Sequence, residues 1–104
     1  MRPIRMSAFV GGRRYSTDRA TLLASGESDS GPEWLPRDKT AFLFRGLDGR
    51  YFAQFRMFVQ VGLNPHAERY WIEPMAETTA IPLYWELPDK LVAYEEAFAS
   101  AKVT

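Results

Sequence analysis

The sequence predicts an α+β domain: an antiparallel meander sheet of three to four strands, with a short N-terminal helix and two C-terminal helices packed on one face. Three observations carry this. Residues 50–61 (Arg-Tyr-Phe-Ala-Gln-Phe-Arg-Met-Phe-Val-Gln-Val) alternate in character with period two, the spacing of a strand whose side chains point to opposite sides. Gly46-Leu-Asp-Gly49 is a hairpin turn signal joining that run to residues 40–45. Two segments after Pro74 place apolar residues at helical intervals. With 104 residues, 46% hydrophobic and 25% charged, the chain matches one globular domain spanning residues 1–104.

From the N-terminus, residues 4–10 form a weak strand candidate that Gly11-Gly12 folds back onto Arg13-Arg14-Tyr15. Ser16, Thr17 and Asp18 supply helix-capping side chains, and Ala20, Leu23 and Ala24 share a face at helical spacing. The expectation is a short helix over 17–25 closed by Gly26. Residues 25–39 are rich in turn formers and charge and read as a long loop. Such loops often carry function, which makes Trp34 a candidate contact residue, with an inward packing role as the alternative.

In the hairpin, Arg45 is expected opposite Arg50, which sets Phe44 against Tyr51 and Phe42 against Ala53 on the core side. Tyr51, Ala53, Phe55, Met57, Val59 and Val61 then face the core. Arg50, Phe52, Gln54, Arg56, Phe58 and Gln60 face outward. After a turn at 62–67, Arg69-Tyr-Trp-Ile-Glu73 makes a third strand with Tyr70 and Ile72 inward and Trp71 outward, beside Phe52 or Phe58. Met75 to Leu87 repeats Ala80, Leu83, Tyr84 and Leu87 at helical spacing. Pro82 is best accommodated there if Thr79 is the cap, because first-turn donors have no intrahelical partner. Asp89 caps a last helix over 90–101, with Leu91, Tyr94, Phe98 and Ala101 on one stripe.

Composition excludes several chemistries. There is no cysteine, and His66 is the only histidine, so disulfides, thiolate chemistry and multi-histidine metal sites are impossible within one chain. Glu95 and Glu96 diverge by about 100° on a helix, too far to share a site. Gly11-Gly12 lacks the spacing and the lysine of a phosphate loop. No cofactor, metal site or catalytic group is expected. No signal peptide or apolar span is visible, so the expected setting is the cytoplasm of a host cell, away from membranes. Residues 1–56 carry ten basic and six acidic side chains, and residues 57–104 three and seven. Pairing between the halves on folding is the expected use of that asymmetry.

Four segments carry a further pattern: Arg14-Tyr-Ser-Thr-Asp-Arg-Ala20, Thr40-Ala-Phe-Leu-Phe-Arg45, Gly49-Arg-Tyr-Phe52 and Ile72-Glu-Pro-Met75. Over residues 13–98 the chain resembles a family of small, mostly uncharacterised proteins carried by phages, plasmids and other mobile elements. In these, a Tyr-x-Thr-x-x-Ala segment precedes a hairpin with aromatic-Arg and Gly-x-Tyr/Trp-Phe signatures, followed by an Ile-x-Pro-Leu-type helix start. Ser16 stands where an acidic residue is common, and Pro82 where a helix former is expected. The resemblance implies the setting of host-defence antagonists such as anti-CRISPR proteins. It carries over no catalytic residue, because Tyr15, Thr17, Ala20 and Gly49 match as structural positions.

The leading expectation is therefore a non-enzymatic inhibitor that occupies a surface of a host CRISPR-Cas effector. Its contacts are expected from Arg45, Arg50, Phe52, Arg56, Phe58 and Trp71 on the outer sheet face, and from Trp34 in the 25–39 loop. Arginine and aromatic residues supply most interface energy. Replacing Arg50 and Arg56 with glutamate is expected to abolish binding and leave the fold intact. The alternative is a nucleic-acid-binding regulator that uses the same face. The chain is expected as a monomer, or as a homodimer paired through an exposed strand edge at 40–45 or 69–73.

Overall fold

The computed structural model describes residues 2–26 and 40–98, with side chains for all of these except 58–61 and 64–66. Trp34, nearly all of the expected 25–39 loop and the end of the expected last helix lie outside the described residues.

The elements run in the order β1 (Ser7–Val10), β2 (Arg13–Ser16), a 3-10 turn (Thr17–Arg19), β3 (Thr21–Ser25), β4 (Thr40–Arg45), β5 (Tyr51–Val61), β6 (Asn64–Met75), α1 (Glu77–Glu86), β7 (Asp89–Lys90) and α2 (Tyr94–Ala97). Five strands form one antiparallel sheet in the order β6-β5-β4-β3-β7, and β1-β2 is a separate hairpin. The α+β class and the two C-terminal helices on the sheet follow the sequence expectation. Among the described residues the sheet has five strands instead of three to four, and a two-stranded hairpin adds a third layer. Among the described residues no helix is long and apolar enough to cross a membrane.

The expected helix over 17–25 is instead the 3-10 turn followed by β3. A helix of so few residues is marginal by itself, whereas Thr21–Ser25 gains backbone partners on two sides, from β4 and from β7. A bulge between Leu22 and Ala24 lets Leu22 pack toward one face while Leu23 and Ala24 pack toward the other. Helix α1 begins at Glu77 instead of after Thr79, so Pro82 lies inside it. The Thr78 carbonyl loses its helical donor there, on an exposed side of the helix where water can replace it. Lys90, expected in the last helix, belongs to β7, and α2 is a single turn.

The hairpin register also differs from expectation. Gly49 N–H donates to the Gly46 carbonyl at 3.0 Å, and Gly46 N–H donates to the Arg50 carbonyl at 2.8 Å. Gly49, at φ 83°, is the bulge residue of a three-residue hairpin loop, a conformation that favours glycine. Gly46 therefore pairs with Arg50, and Arg45 pairs with Tyr51. This one-residue slip moves every β4 side chain to the other face.

Ala41, Leu43, Tyr51, Ala53 and Phe55 consequently lie under the helices, against Ala80, Tyr84, Leu87, Ala97 and Phe98. Small alanines on the sheet make room for the large rings of Tyr84 and Phe98. Phe42, Phe44, Phe52 and Ile72 occupy the opposite face, beneath Met6, Ala8 and Tyr15 of the N-terminal hairpin layer. Strand β4 is thus buried on both sides, as its unbroken Ala-Phe-Leu-Phe run allows. Each fully buried Phe or Leu of these two cores contributes roughly 1.5–3 kcal/mol.

Candidate interaction surfaces

The outer sheet face expected to meet a partner is a second core. Phe52 is 1% exposed; it stacks on Phe44 with centroids 5.2 Å apart and receives the edge of Tyr15 at 5.5 Å. Gln54 is 0% exposed, and its amide is engaged by the Ile4 backbone. Arg56 sits at the margin of this layer, paired with Glu68 and donating to the Arg2 carbonyl. With its side chain 14% exposed, it ties the N-terminal segment, β5 and β6 together. Glutamate at position 56 would confront Glu68, so the fold is not indifferent to that change.

Arg45, on the helix face, donates to the carbonyls of Glu96 and Ala97. It closes the C-terminal end of α2 instead of meeting solvent. Trp71 also lies on the helix face, because Phe55, not Phe52, is its partner across the strands. Its ring stacks on Phe55 at 5.6 Å and its Nε1 donates to Glu73 at 3.0 Å. Arg50 is exposed beside Asp48, 3.4 Å away. The side chain of Phe58 and all of Trp34 lie outside what is described. Of the expected contact residues with described side chains, Arg50 alone remains fully at the surface.

The structure gathers other residues at the end of the sheet where the β4–β5 turn lies. Arg14, Tyr15 and Ser16 of β2, Arg19 of the 3-10 turn, and Gly46, Leu47 and Asp48 surround a cavity of about 240 Å³ with Phe52 at its floor. Tyr15 separates it from a more open concavity of about 580 Å³ lined by Gly49, Arg50, Tyr51, Pro74, Met75, Ala76 and Glu77. The β2 strand reaches this place because the Gly11-Gly12 turn returns the chain over the sheet. Thr17 holds the far end: its N–H donates to the Met6 carbonyl at 2.9 Å and its hydroxyl to the Ile4 carbonyl at 2.9 Å.

Arg14 and Arg19 are exposed and have no ion-pair partner among the described residues. Asp48, the acidic side chain of the cavity wall, is shared with Arg50. The rim is therefore net positive, and its walls are carried by strands and a tight turn. Arg56–Glu68 joins the basic half of the sequence to the acidic half, whereas Arg5–Asp18 and Arg50–Asp48 stay within the basic half. Among the described residues, internal pairing thus leaves Arg14 and Arg19 without an ion-pair partner. Among the described residues no group of three histidine, aspartate or glutamate side chains is placed to hold a metal ion.

Sequence reasoning singled out Tyr15 and Gly49 as structural positions but did not connect Arg14 and Arg19 to the turn. The signal that could have done so is the Arg-Tyr-x-x-x-Arg spacing beside Gly46–Gly49, but it joins two places only once β2 is laid across the sheet. No protein-family model matches the chain, and neither the curated proteins nor the solved structures contain a match to it. The resemblance to mobile-element proteins therefore stands on the quoted residues alone.

Proposed function

We propose that the protein is a non-enzymatic binding module that inhibits by steric occupation, presenting the arginine-rimmed end of its sheet to an acidic surface of a partner protein. The partner implied by the resemblance is a host defence effector of the CRISPR-Cas kind, met in the host cytoplasm. The observation that carries the reading is the pair Arg14 and Arg19, exposed without counter-ions among the described residues on the rim of an aromatic-floored cavity. Arginine beside aromatic area is the usual make-up of interface hot spots. A cavity of about 240 Å³ is below the usual range of small-molecule sites, which begins near about 300 Å³, and that favours a protruding side chain of a macromolecule.

The nucleic-acid reading uses the same arginines. A formal net charge of zero weighs against it, since affinity for nucleic acid comes largely from neutralising phosphates. The test is capture from host lysate with and without nuclease, comparing the wild type with an Arg14→Glu/Arg19→Glu variant. The expected result is a protein retained through nuclease treatment by the wild type and lost by the variant. Retention that nuclease abolishes would transfer the assignment to nucleic acid. Equal retention by both chains would remove the cleft from consideration.

A further inference from the structure

The two edges of the five-stranded sheet are treated differently. Strand β7 closes one edge with two residues, Asp89 and Lys90, a short charged edge of the kind that discourages pairing. Strand β6 forms the other edge with twelve residues and, among the described residues, a strand neighbour on one side only. Strand β4, whose 40–45 segment the sequence also offered as an edge, is interior.

The hydrogen-bonding parity of β6 follows from the β4–β5 turn. Gly46 bonds Arg50, so Phe52, Gln54 and Arg56 direct their backbone groups to β4, and Tyr51, Ala53 and Phe55 direct theirs to β6. By register, Met75, Glu73, Trp71 and Arg69 complete the ladder with β5. Glu68, Tyr70 and Ile72 then point N–H and C=O away from the sheet, and Pro74, which has no N–H to give, points its carbonyl the same way. Proline at that outward position is where an edge strand tolerates it. No backbone hydrogen bond to these outward groups occurs among the described residues.

The side chains of this edge are self-complementary. In an antiparallel pair centred on Trp71, Arg69 of one chain faces Glu73 of the other, twice. Arg69 is exposed with no ion-pair partner among the described residues. Glu73 uses Oε1 for Trp71, which leaves Oε2 for an incoming guanidinium. Trp71 meets its own copy in a non-hydrogen-bonded position, where opposed side chains approach most closely. Tyr70, 48% exposed, faces Ile72 on the other side of the sheet. Shifting the centre to Tyr70 would set Glu68 against Ile72 and lose both ion pairs.

We propose that β6 is a homodimerisation edge: a second copy of this chain pairs antiparallel about Trp71, giving a continuous ten-stranded sheet. About six interchain backbone hydrogen bonds form, the Pro74 nitrogens ending the ladder. The Arg69–Glu73 pairs set register more than affinity, since exposed ion pairs add little by themselves. This edge is separate from the arginine cleft, so the inference stands whether or not that cleft binds a partner.

Sedimentation velocity on four samples tests it: wild type, Arg69→Glu, Glu73→Arg, and an equimolar mixture of the two variants. Both positions are exposed, and circular dichroism of each variant should match the wild type. The wild type is expected to sediment as a dimer and each variant as a monomer, because like charges then face each other twice. The mixture is expected to regain a dimer, because a heterodimer restores two opposite-charge pairs. A monomeric wild type at high micromolar concentration, variants that remain dimeric, or a mixture that stays monomeric would each overturn the proposal.

Discussion

The side-chain amide of Gln54 and the backbone of Ile4 form a closed pair of hydrogen bonds. Ile4 N–H donates to Gln54 Oε1 at 2.8 Å, and Gln54 Nε2 donates to the Ile4 carbonyl at 2.7 Å. A glutamine with no solvent exposure in a central strand is costly unless every polar atom is used. Here its amide imitates one residue of a β-ladder and fastens the N-terminal segment over Phe42, Phe44 and Phe52.

Gln54→Leu keeps the volume and removes both bonds. The Ile4 N–H then loses its acceptor in a half-buried site, while the Ile4 carbonyl keeps the Thr17 hydroxyl at 2.9 Å. The expected cost is about 2–3 kcal/mol, read as a lower urea midpoint at unchanged m-value. A midpoint equal to the wild type would show that the pair does not hold the layer.

How legible this was in the sequence depends on where the deciding interaction lies. The period-two run at 50–61 specified β5 correctly, because alternation is a property of the strand itself. It left open which face meets solvent. Arg50, Phe52, Gln54 and Arg56 look outward by composition, and only the arrival of residues 2–16 converts Phe52 and Gln54 into core. The register differs by one residue from the expected one because the bulge at Gly49 adds a residue that composition does not reveal. The helix expected over 17–25 gives way for the same kind of reason: Ser16 makes no side-chain capping bond, and β4 and β7 offer Thr21–Ser25 partners distant in sequence. Of the contact residues, Arg45 and Arg56 are spent on carbonyls and on Glu68, a use of charge that no local pattern signals.

Arg45 and Tyr51 converge on one acceptor. The guanidinium and the phenol hydroxyl donate to the Ala97 carbonyl at 2.9 and 3.0 Å, which fixes the single turn of α2 on the sheet. Tyr51→Phe is expected to cost about 1 kcal/mol and Arg45→Met about 1.5–3 kcal/mol. The double variant should differ from the sum of the two, because the donors share an acceptor. Faster amide exchange at Ala97 and Phe98, with β4 unaffected, would mark local release of α2. Strict additivity would contradict the shared site.

Tyr84 gives a pH dependence. Burial first, and the Glu95 carboxylate second, raise its hydroxyl above the usual value of 10.0, and it donates to the Val92 carbonyl at 2.8 Å. The folded state therefore holds this proton more tightly than the unfolded chain does. The stability involved is fully present below pH 10.0 and is lost as pH rises through the folded-state value. Tyr84→Phe should be less stable than wild type near neutrality by about 1 kcal/mol, and that gap should narrow under strongly alkaline conditions. A gap that widened with pH would reverse the sign of the argument.

The central part of the sheet, Ala41–Phe44 and Tyr51–Phe55, is sealed on both faces, and hydroxyl-radical footprinting read by mass spectrometry reports that sealing residue by residue. Phe9, Leu63 and Trp85, which are exposed, should be oxidised readily, while Phe42, Phe44 and Phe52 stay unmodified. Oxidation of Phe52 as fast as Phe9 would mean that the N-terminal layer does not cover the sheet, and the outer face would return as the contact surface.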